Sequence, residues 1–205
     1  MWHLDHLAVV CADLDEGTAW AESALGVRFQ RGGKHARYGT HNRLLGLGAE
    51  LYLEVIAIDP EAAVSGPRWF GLDDFTGPPR LGNWIVACDR LDEALDQSPE
   101  GSGDSIELQR GDLKWRISVP VDGSLPVGGG WPTLIEWAQG TRHPASRLDD
   151  SGLRLERLTI GHPDAATLSS RLATKLIDPR IVFDAATAPS LSATFHAPQG
   201  VERYL

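Results

Sequence analysis

One pattern in this chain recurs at near-constant spacing, and it constrains the fold more than any other feature. Leu4-Asp5-His6-Leu7-Ala8-Val9-Val10-Cys11-Ala12-Asp13-Leu14-Asp15-Glu16 lies beside Leu81-Gly82-Asn83-Trp84-Ile85-Val86-Ala87-Cys88-Asp89-Arg90-Leu91-Asp92-Glu93 at an offset of 77 residues throughout. Each copy is a short apolar strand ending in cysteine, then an acidic stretch that opens a helix. Asp13 or Asp15 in the first copy and Asp89 in the second are suitable N-caps for helices over Thr18–Leu25 and Leu91–Gln97. A third start, Leu155-Glu156-Arg157-Leu158-Thr159-Ile160, follows 74 residues later, with Asp164 ahead of a helix over Ala165–Leu176.

β-patterned sequence follows each helix. Val27–Arg31, Thr40–Leu47 and Glu50–Ile58 are expected strands in the first copy, punctuated by Gly32-Gly33, Gly39 and Gly48. Ile106–Gln109, Lys114–Val119 and Thr133–Ala138 are their counterparts in the second. Arg180–Ala185, Leu191–His196 and a stub at Val201–Leu205 complete the third. Each unit is therefore βαβββ, a curved sheet that its own single helix cannot cover on both faces. Two such units pair into a half-barrel around a cleft, where ligands sit. The expected fold is α+β. Residues 1–145 form one domain of two βαβββ modules, at about 2–60 and 80–140, and residues 151–205 form an incomplete third unit packed on it.

Charge and cysteine usage narrow the function. A net charge of −9 and a pI near 5.2 argue against binding to nucleic acid or to an anionic membrane surface. There is no run of about 18 apolar residues and no basic leader ahead of an apolar segment, so neither a spanning helix nor a secretory signal is expected. Cys11 and Cys88 each end an apolar run, which suits two buried thiols in a reducing, cytoplasmic setting. No GxGxxG, GxxxxGK[ST], GxSxG or CxxC motif is present, and no helix start follows Gly128-Gly129-Gly130 to make it a phosphate cradle.

Strand alternation then selects candidates. His6, Ala8 and Val10 share one face, and Leu7, Val9 and Cys11 the other, helix-covered one, so His6 is expected to look into the cleft. Glu54, between Leu53 and Val55, points the same way. Glu136, within Leu134-Ile135-Glu136-Trp137, is expected there too, 82 residues after Glu54 and equivalent to it. Buried carboxylates need a cation, a proton or a donor beside them. His41-Asn42 faces the cleft mouth or bonds a loop. Arg68-Trp69-Phe70 clamps a carboxylate or packs on the barrel edge. Of Trp84, Trp131 and Trp137, most belong to the core and one lines the cleft. His143-Pro144 parallels Asp59-Pro60 as a turn at the end of a repeat, and His162-Pro163 leads into a helix.

The βαβββ repeat opened by Leu4-Asp5-His6-Leu7 resembles the vicinal oxygen chelate superfamily over about residues 2–145. Gly39-Thr40-His41-Asn42-Arg43-Leu44-Leu45, Tyr52-Leu53-Glu54-Val55-Ile56-Ala57, Pro67-Arg68-Trp69-Phe70 and Leu134-Ile135-Glu136-Trp137 are similar to its bacterial glyoxalase-like domain group. The resemblance implies metal ligands on the first and last strands of two units, here His6, Glu54, Asn83 and Glu136. Such a set suits Zn, Ni, Mn, Fe or Mg. Asn83 departs from the His or Gln usual there, leaving the fourth position to water or His41. A metal-free hydrogen-bonded cluster stays equally open.

The resemblance implies a metal-assisted lyase or isomerase that forms an enediolate on a small oxygenated substrate. Glu136 would be the base and Glu54 a retained ligand, or the reverse. His41, Asn42, Arg68, Trp69, Trp137 and Asn83 would contact the substrate. The alternative is a metal-free protein that sequesters a small molecule between tryptophans and Arg68. A weaker one is an Fe(II) dioxygenase, disfavoured because Asn83 breaks the two-His-one-carboxylate set. A small molecule is the expected partner, and a homodimer is left open.

Overall fold

The acidic stretch after the first apolar strand does start a helix. The computed structural model describes residues 2–205, the side chain of Gln199 excepted; Met1, first residue of the expected 1–145 domain, lies outside it. After strand β1 (His3–Val10), the Asp13 carboxylate accepts from the Glu16 N–H at 2.9 Å, and Asp15 and Glu16 place negative charge at the positive end of α1 (Leu14–Leu25). Gly26 ends the helix with a φ of 74°, a conformation that a side chain would strain. Gly17 lets the helix approach the sheet, since a Cβ there would meet the Cys11 Sγ at 2.2 Å. Three strands follow: β2 (Gln30–His35), β3 (Thr40–Gly46) and β4 (Tyr52–Ile58).

The second unit repeats the plan with β5 (Arg80–Ala87), α2 (Leu91–Asp96), β6 (Asp104–Arg110), β7 (Leu113–Val119) and β8 (Thr133–Trp137). Together the units form one curled eight-stranded sheet in the order β2-β3-β4-β1-β5-β8-β7-β6. That order reads the same from both ends: each unit pairs its first strand parallel to its last, and β1 meets β5 antiparallel at the centre. The equivalence extends to single bonds, with the Cys11 N–H donating to the Ile56 carbonyl and the Cys88 N–H to the Ile135 carbonyl. The 77-residue repeat is thus a pseudo-twofold, and the sheet forms the half-barrel.

The third unit keeps the element order but not the wiring. It contains β9 (Arg154–His162), α3 (Ala165–Leu172), β10 (Ile181–Ala185), β11 (Ser190–His196) and β12 (Glu202–Tyr204). Its sheet runs β10-β9-β11-β12, so the first strand pairs parallel with the strand just after the helix rather than with the last. It forms a sheet of its own.

Alternation divides the apolar residues into two cores. Leu7, Val9 and Cys11 of β1 join Leu53, Trp84, Val86 and Leu134 on the helix-covered face, and Leu158, Ile160, Leu168 and Phe195 of the third unit pack into that same core. Ala8 and Val10 join Ile56, Ile85, Trp115, Ile117 and Ile135 on the concave face. Among the described residues no helix is long and apolar enough to cross a membrane.

Phe195 has no exposed surface and belongs to the core shared by both sheets. Phe195→Ala is expected to destabilise the chain by about 3–5 kcal/mol and to leave one cooperative urea transition. A separate early transition for the third unit would show that the two sheets fold independently.

Candidate active site

A bulge in β1 builds the site. The pairing of β1 with β5 slips between Leu4 and His6, leaving Asp5 as the extra residue. Neighbours on a regular strand point to opposite faces. Here the bulge lets Asp5 and His6 meet, with the His6 Nδ1 2.5 Å from an Asp5 oxygen. The other Asp5 oxygen accepts from the Trp137 indole N–H at 2.7 Å and from the His143 Nε2 at 3.0 Å. Asp5 has no exposed surface. Burial alone would push its carboxyl up, but the hydrogen bonds from His143 and His6 outweigh this and hold it well below the usual carboxylate range.

An ionised carboxylate only accepts, so these contacts fix the histidines. His6 carries a proton on Nδ1 and, in its neutral form, turns a bare Nε2 into the cleft. His143 donates through Nε2, and its Nδ1 accepts from the Ala145 N–H at 3.3 Å. Tyr52 stacks flat on the His6 ring at 4.4 Å and 15°. The His6 Nε2 faces a Glu54 oxygen at 3.7 Å, too far for a hydrogen bond. Asn42 of β3 donates to the other Glu54 oxygen at 2.5 Å, and the Asn42 carbonyl accepts from the Gly33 N–H at 2.7 Å. Two proton-accepting atoms, the His6 Nε2 and one Glu54 oxygen, are therefore held side by side in a wall of aromatic rings.

The surrounding cavity encloses about 30 Å³, little more than one water molecule needs, lined by Trp69, Phe70, Trp115 and Trp137 among others. Trp69 stacks on Tyr38 and Phe70, and its indole N–H reaches the Thr40 hydroxyl at 3.1 Å. Phe70 has a φ of 61°, which costs a bulky side chain about 1–2 kcal/mol. Opposite the sheet, an Arg110 terminal nitrogen lies 2.9 Å from the His35 Nε2. Arginine can only donate, so His35 is neutral with its proton on Nδ1, directed at the Thr40 hydroxyl at 3.1 Å. Burial, Arg110 and the neighbouring His6 and His41 push its pKa down to about 3.

Of the residues expected from the sequence, the fold brings His6, Asn42, Glu54, Trp69 and Trp137 to the cavity. It does not bring Glu136. That side chain lies on the opposite face, where it accepts from the Leu91 N–H at 2.6 Å at the start of α2 and sits 3.5 Å from Arg116. The expected offset of 82 is the reason. The ladder pairs Ala8 with Glu54 and Ile85 with Thr133, so Thr133 is the counterpart of Glu54, at an offset of 79. The three-residue error is odd, and an odd shift turns a strand over. Asn83, the counterpart of His6, donates to the Thr133 hydroxyl at 3.0 Å, and its carbonyl accepts from the Trp84 N–H. His41 lies between the cleft-facing Thr40 and Asn42 and does not line the cavity, and Arg68 is committed to Asp73 at 2.7 Å. Sequence reasoning passed over Asp5, Tyr52, His35, Arg110 and His143. The adjacent pair Asp5-His6 was the available signal.

These donors do not make up a divalent metal site. His6 and Glu54 present one free donor atom each, and their counterparts Asn83 and Thr133 are neutral and bonded to each other. Catalytic metal sites normally take three protein ligands. No group of three or more His, Cys, Asp or Glu suited to a metal ion occurs among the described residues.

His35 and Asp5 make the site acid-sensitive in a defined order. Between pH 6.5 and about 3 the unfolded chain protonates His35 and the folded one does not, so stability falls as pH falls through that window. Asp5 is also depressed on folding; its contribution is full above about 3.9 and is lost only as pH falls towards its folded value. Chemical denaturation of His35→Gln, which keeps an acceptor for Arg110, is expected to give a flatter stability profile than wild type between pH 6.5 and 4. Parallel profiles would show that His35 is not held neutral.

Comparison with known proteins agrees with this fold. A hypothetical protein from Staphylococcus aureus matches over 100% of this chain and 98% of its own, with a TM-score of 0.62 at 11% identity. Methylmalonyl-CoA epimerase from Mycobacterium tuberculosis matches 65% of this chain and 85% of its own, with a TM-score of 0.43 at 17% identity. A variant of the Streptomyces coelicolor epimerase, in complex with 2-nitronate-propionyl-CoA, matches 66% and 96%, with a TM-score of 0.43 at 14% identity. No curated protein shows significant sequence similarity. The glyoxalase-like domain family matches residues 4–176, and the chain belongs to that family.

Proposed function

We propose that this glyoxalase-like protein is a metal-free acid–base catalyst that moves a proton next to a carbonyl on a small oxygenated substrate, an isomerase- or lyase-type reaction. The observation that carries this is the bare His6 Nε2, oriented by buried Asp5 and set 3.7 Å from a Glu54 oxygen. A base must be fixed in one tautomer and directed at the reacting atom. Asp5 supplies both conditions.

In this reading His6 takes the proton from the carbon beside the carbonyl, and the C–H electron pair passes into an enolate. The imidazolium formed is stabilised by Asp5 at one nitrogen and Glu54 at the other. The proton then lies within reach of Glu54, which returns it to the neighbouring carbon or oxygen. Asn42 holds Glu54 in place. Trp69, Phe70 and Trp137 exclude water, so each charge acts in a low-dielectric space. The base role expected of Glu136 passes to His6 and Glu54. A dioxygenase would need the histidine that Asn83 replaces. The reducing cytoplasm remains the proposed setting, supported by two buried, unpaired thiols, Cys11 and Cys88, whose pKa values burial pushes up to about 12.

Deuterium wash-in from D2O into a panel of small 2-hydroxy and 2-oxo carbonyl compounds, followed by NMR, tests the reading. Wild type is expected to exchange the proton next to the carbonyl in at least one compound. His6→Asn and Glu54→Gln should slow that exchange by about 10²–10⁴-fold, and Asp5→Asn by a similar factor. EDTA should change nothing. Exchange lost to EDTA and restored by Zn, Ni, Mn or Mg would replace this reading with the metal enzyme. Ligand binding without exchange would replace it with the sequestering protein.

A further inference from the structure

Arg110 is the one arginine or lysine lining the cavity among the described residues, and it makes no ion pair there. Eight of the other fifteen arginines in this acidic chain are ion-paired, none of them at the cavity. Arg28, Arg43, Arg68, Arg90, Arg116, Arg147, Arg154 and Arg180 each have a carboxylate beside them, all outside the cavity.

The contacts of Arg110 look built for it. It ends β6, one edge of the curled sheet, and reaches across the open side of the half-barrel to β2, the other edge. There it passes over Gly33, where a Cβ would lie 3.0 Å from the Arg110 Cδ. Among the described residues its one hydrogen bond joins a terminal nitrogen to the His35 Nε2 at 2.9 Å. A neutral imidazole accepts that bond without neutralising the guanidinium, and the Thr40 hydroxyl, also bonded by Trp69, holds the imidazole. The contact leaves the Nε–H and the second terminal nitrogen without a protein acceptor. Those donors form the side of the guanidinium fork, whose spacing matches the two oxygens of a carboxylate. Trp69 and Trp115 pack edge-on against His35 and supply flat walls that a planar acid group fits.

We infer that Arg110 is the specificity-determining residue of the cavity, and that the substrate is a small carboxylic acid whose carboxylate it binds side-on while His35 holds the guanidinium in place. The inference names the substrate class for the proton-transfer reading above and rests on it. It assigns Arg110 to binding and leaves the chemistry to His6 and Glu54. The carboxylate clamp, one of the two roles the sequence left open for Arg68, is thereby assigned to Arg110.

Binding measured apart from turnover tests the assignment. Quenching of tryptophan fluorescence is followed for a panel of two- to six-carbon carboxylates, each beside its neutral amide, with inorganic phosphate as a further probe. At least one acid should bind wild type about tenfold or more tightly than its amide. Arg110→Gln should remove that preference, and Arg110→Lys, which keeps the charge but not the fork, should retain part of it. Both variants are checked for native circular dichroism and melting temperature. The inference is overturned if no acid exceeds its amide, if folded Arg110→Gln keeps the preference, if Arg110→Lys matches wild type, or if phosphate binds more tightly than every carboxylate. Acid preference in the wild-type protein without proton exchange on any compound would defeat the catalytic reading alone. Exchange on neutral carbonyl compounds without acid preference would defeat only this one.

Discussion

A carboxylate without solvent must be satisfied by protein donors alone, because an uncompensated buried charge costs several kcal/mol. Asp5 meets that requirement with three N–H groups, from His6 beside it and from Trp137 and His143 more than 130 residues away in sequence. The contacts with Trp137 and His143 form only once the two units have paired. The charge therefore ties the end of β8 and the turn after it to the bulge in β1, and closing the half-barrel completes the site. The same geometry that satisfies Asp5 fixes the His6 tautomer and the side of the ring that faces the cavity.

The pseudo-twofold makes the site one-sided. Its first half places His6 and Glu54 on the concave face; the second half places Asn83 and Thr133 at the equivalent positions. The first pair is ionisable and keeps free acceptor atoms. The second is neutral and self-satisfied at 3.0 Å. One half of the barrel holds the proposed acid–base pair, and the other contributes Trp115, Trp137 and Arg110 to the walls. The fold itself permits many chemistries, and what distinguishes this chain is the side chains placed on that scaffold.

The architecture was legible because the repeat, the capping aspartate Asp13 and the alternation of Leu7, Val9 and Cys11 against Ala8 and Val10 all follow local rules. His6, Asn42, Glu54, Trp69 and Trp137 followed from the same alternation or from the family resemblance. Glu136 did not, because its face depends on how many extra residues fall in the loop before β8 rather than within the strands. An odd miscount inverts the strand. Asp5 escaped because alternation assigns it to the helix-covered face, and only the bulge at that residue turns it. His35 and Arg110 meet across the two edges of the sheet, a contact set by curvature that no local pattern encodes. The third unit, likewise, displays its element order in sequence but not that β9 pairs directly with β10.

Nitrogen-15 NMR of the imidazole rings tests the central claim most directly, since it reports which nitrogen carries each proton. At neutral pH, His6 should be the Nδ1–H tautomer with a bare Nε2, and His143 the Nε2–H tautomer. In Asp5→Asn the His6 ring should lose its single tautomer. A His6 ring that carries its proton on Nε2 in the wild-type protein, or a tautomer unchanged in Asp5→Asn, would contradict an oriented base at this site.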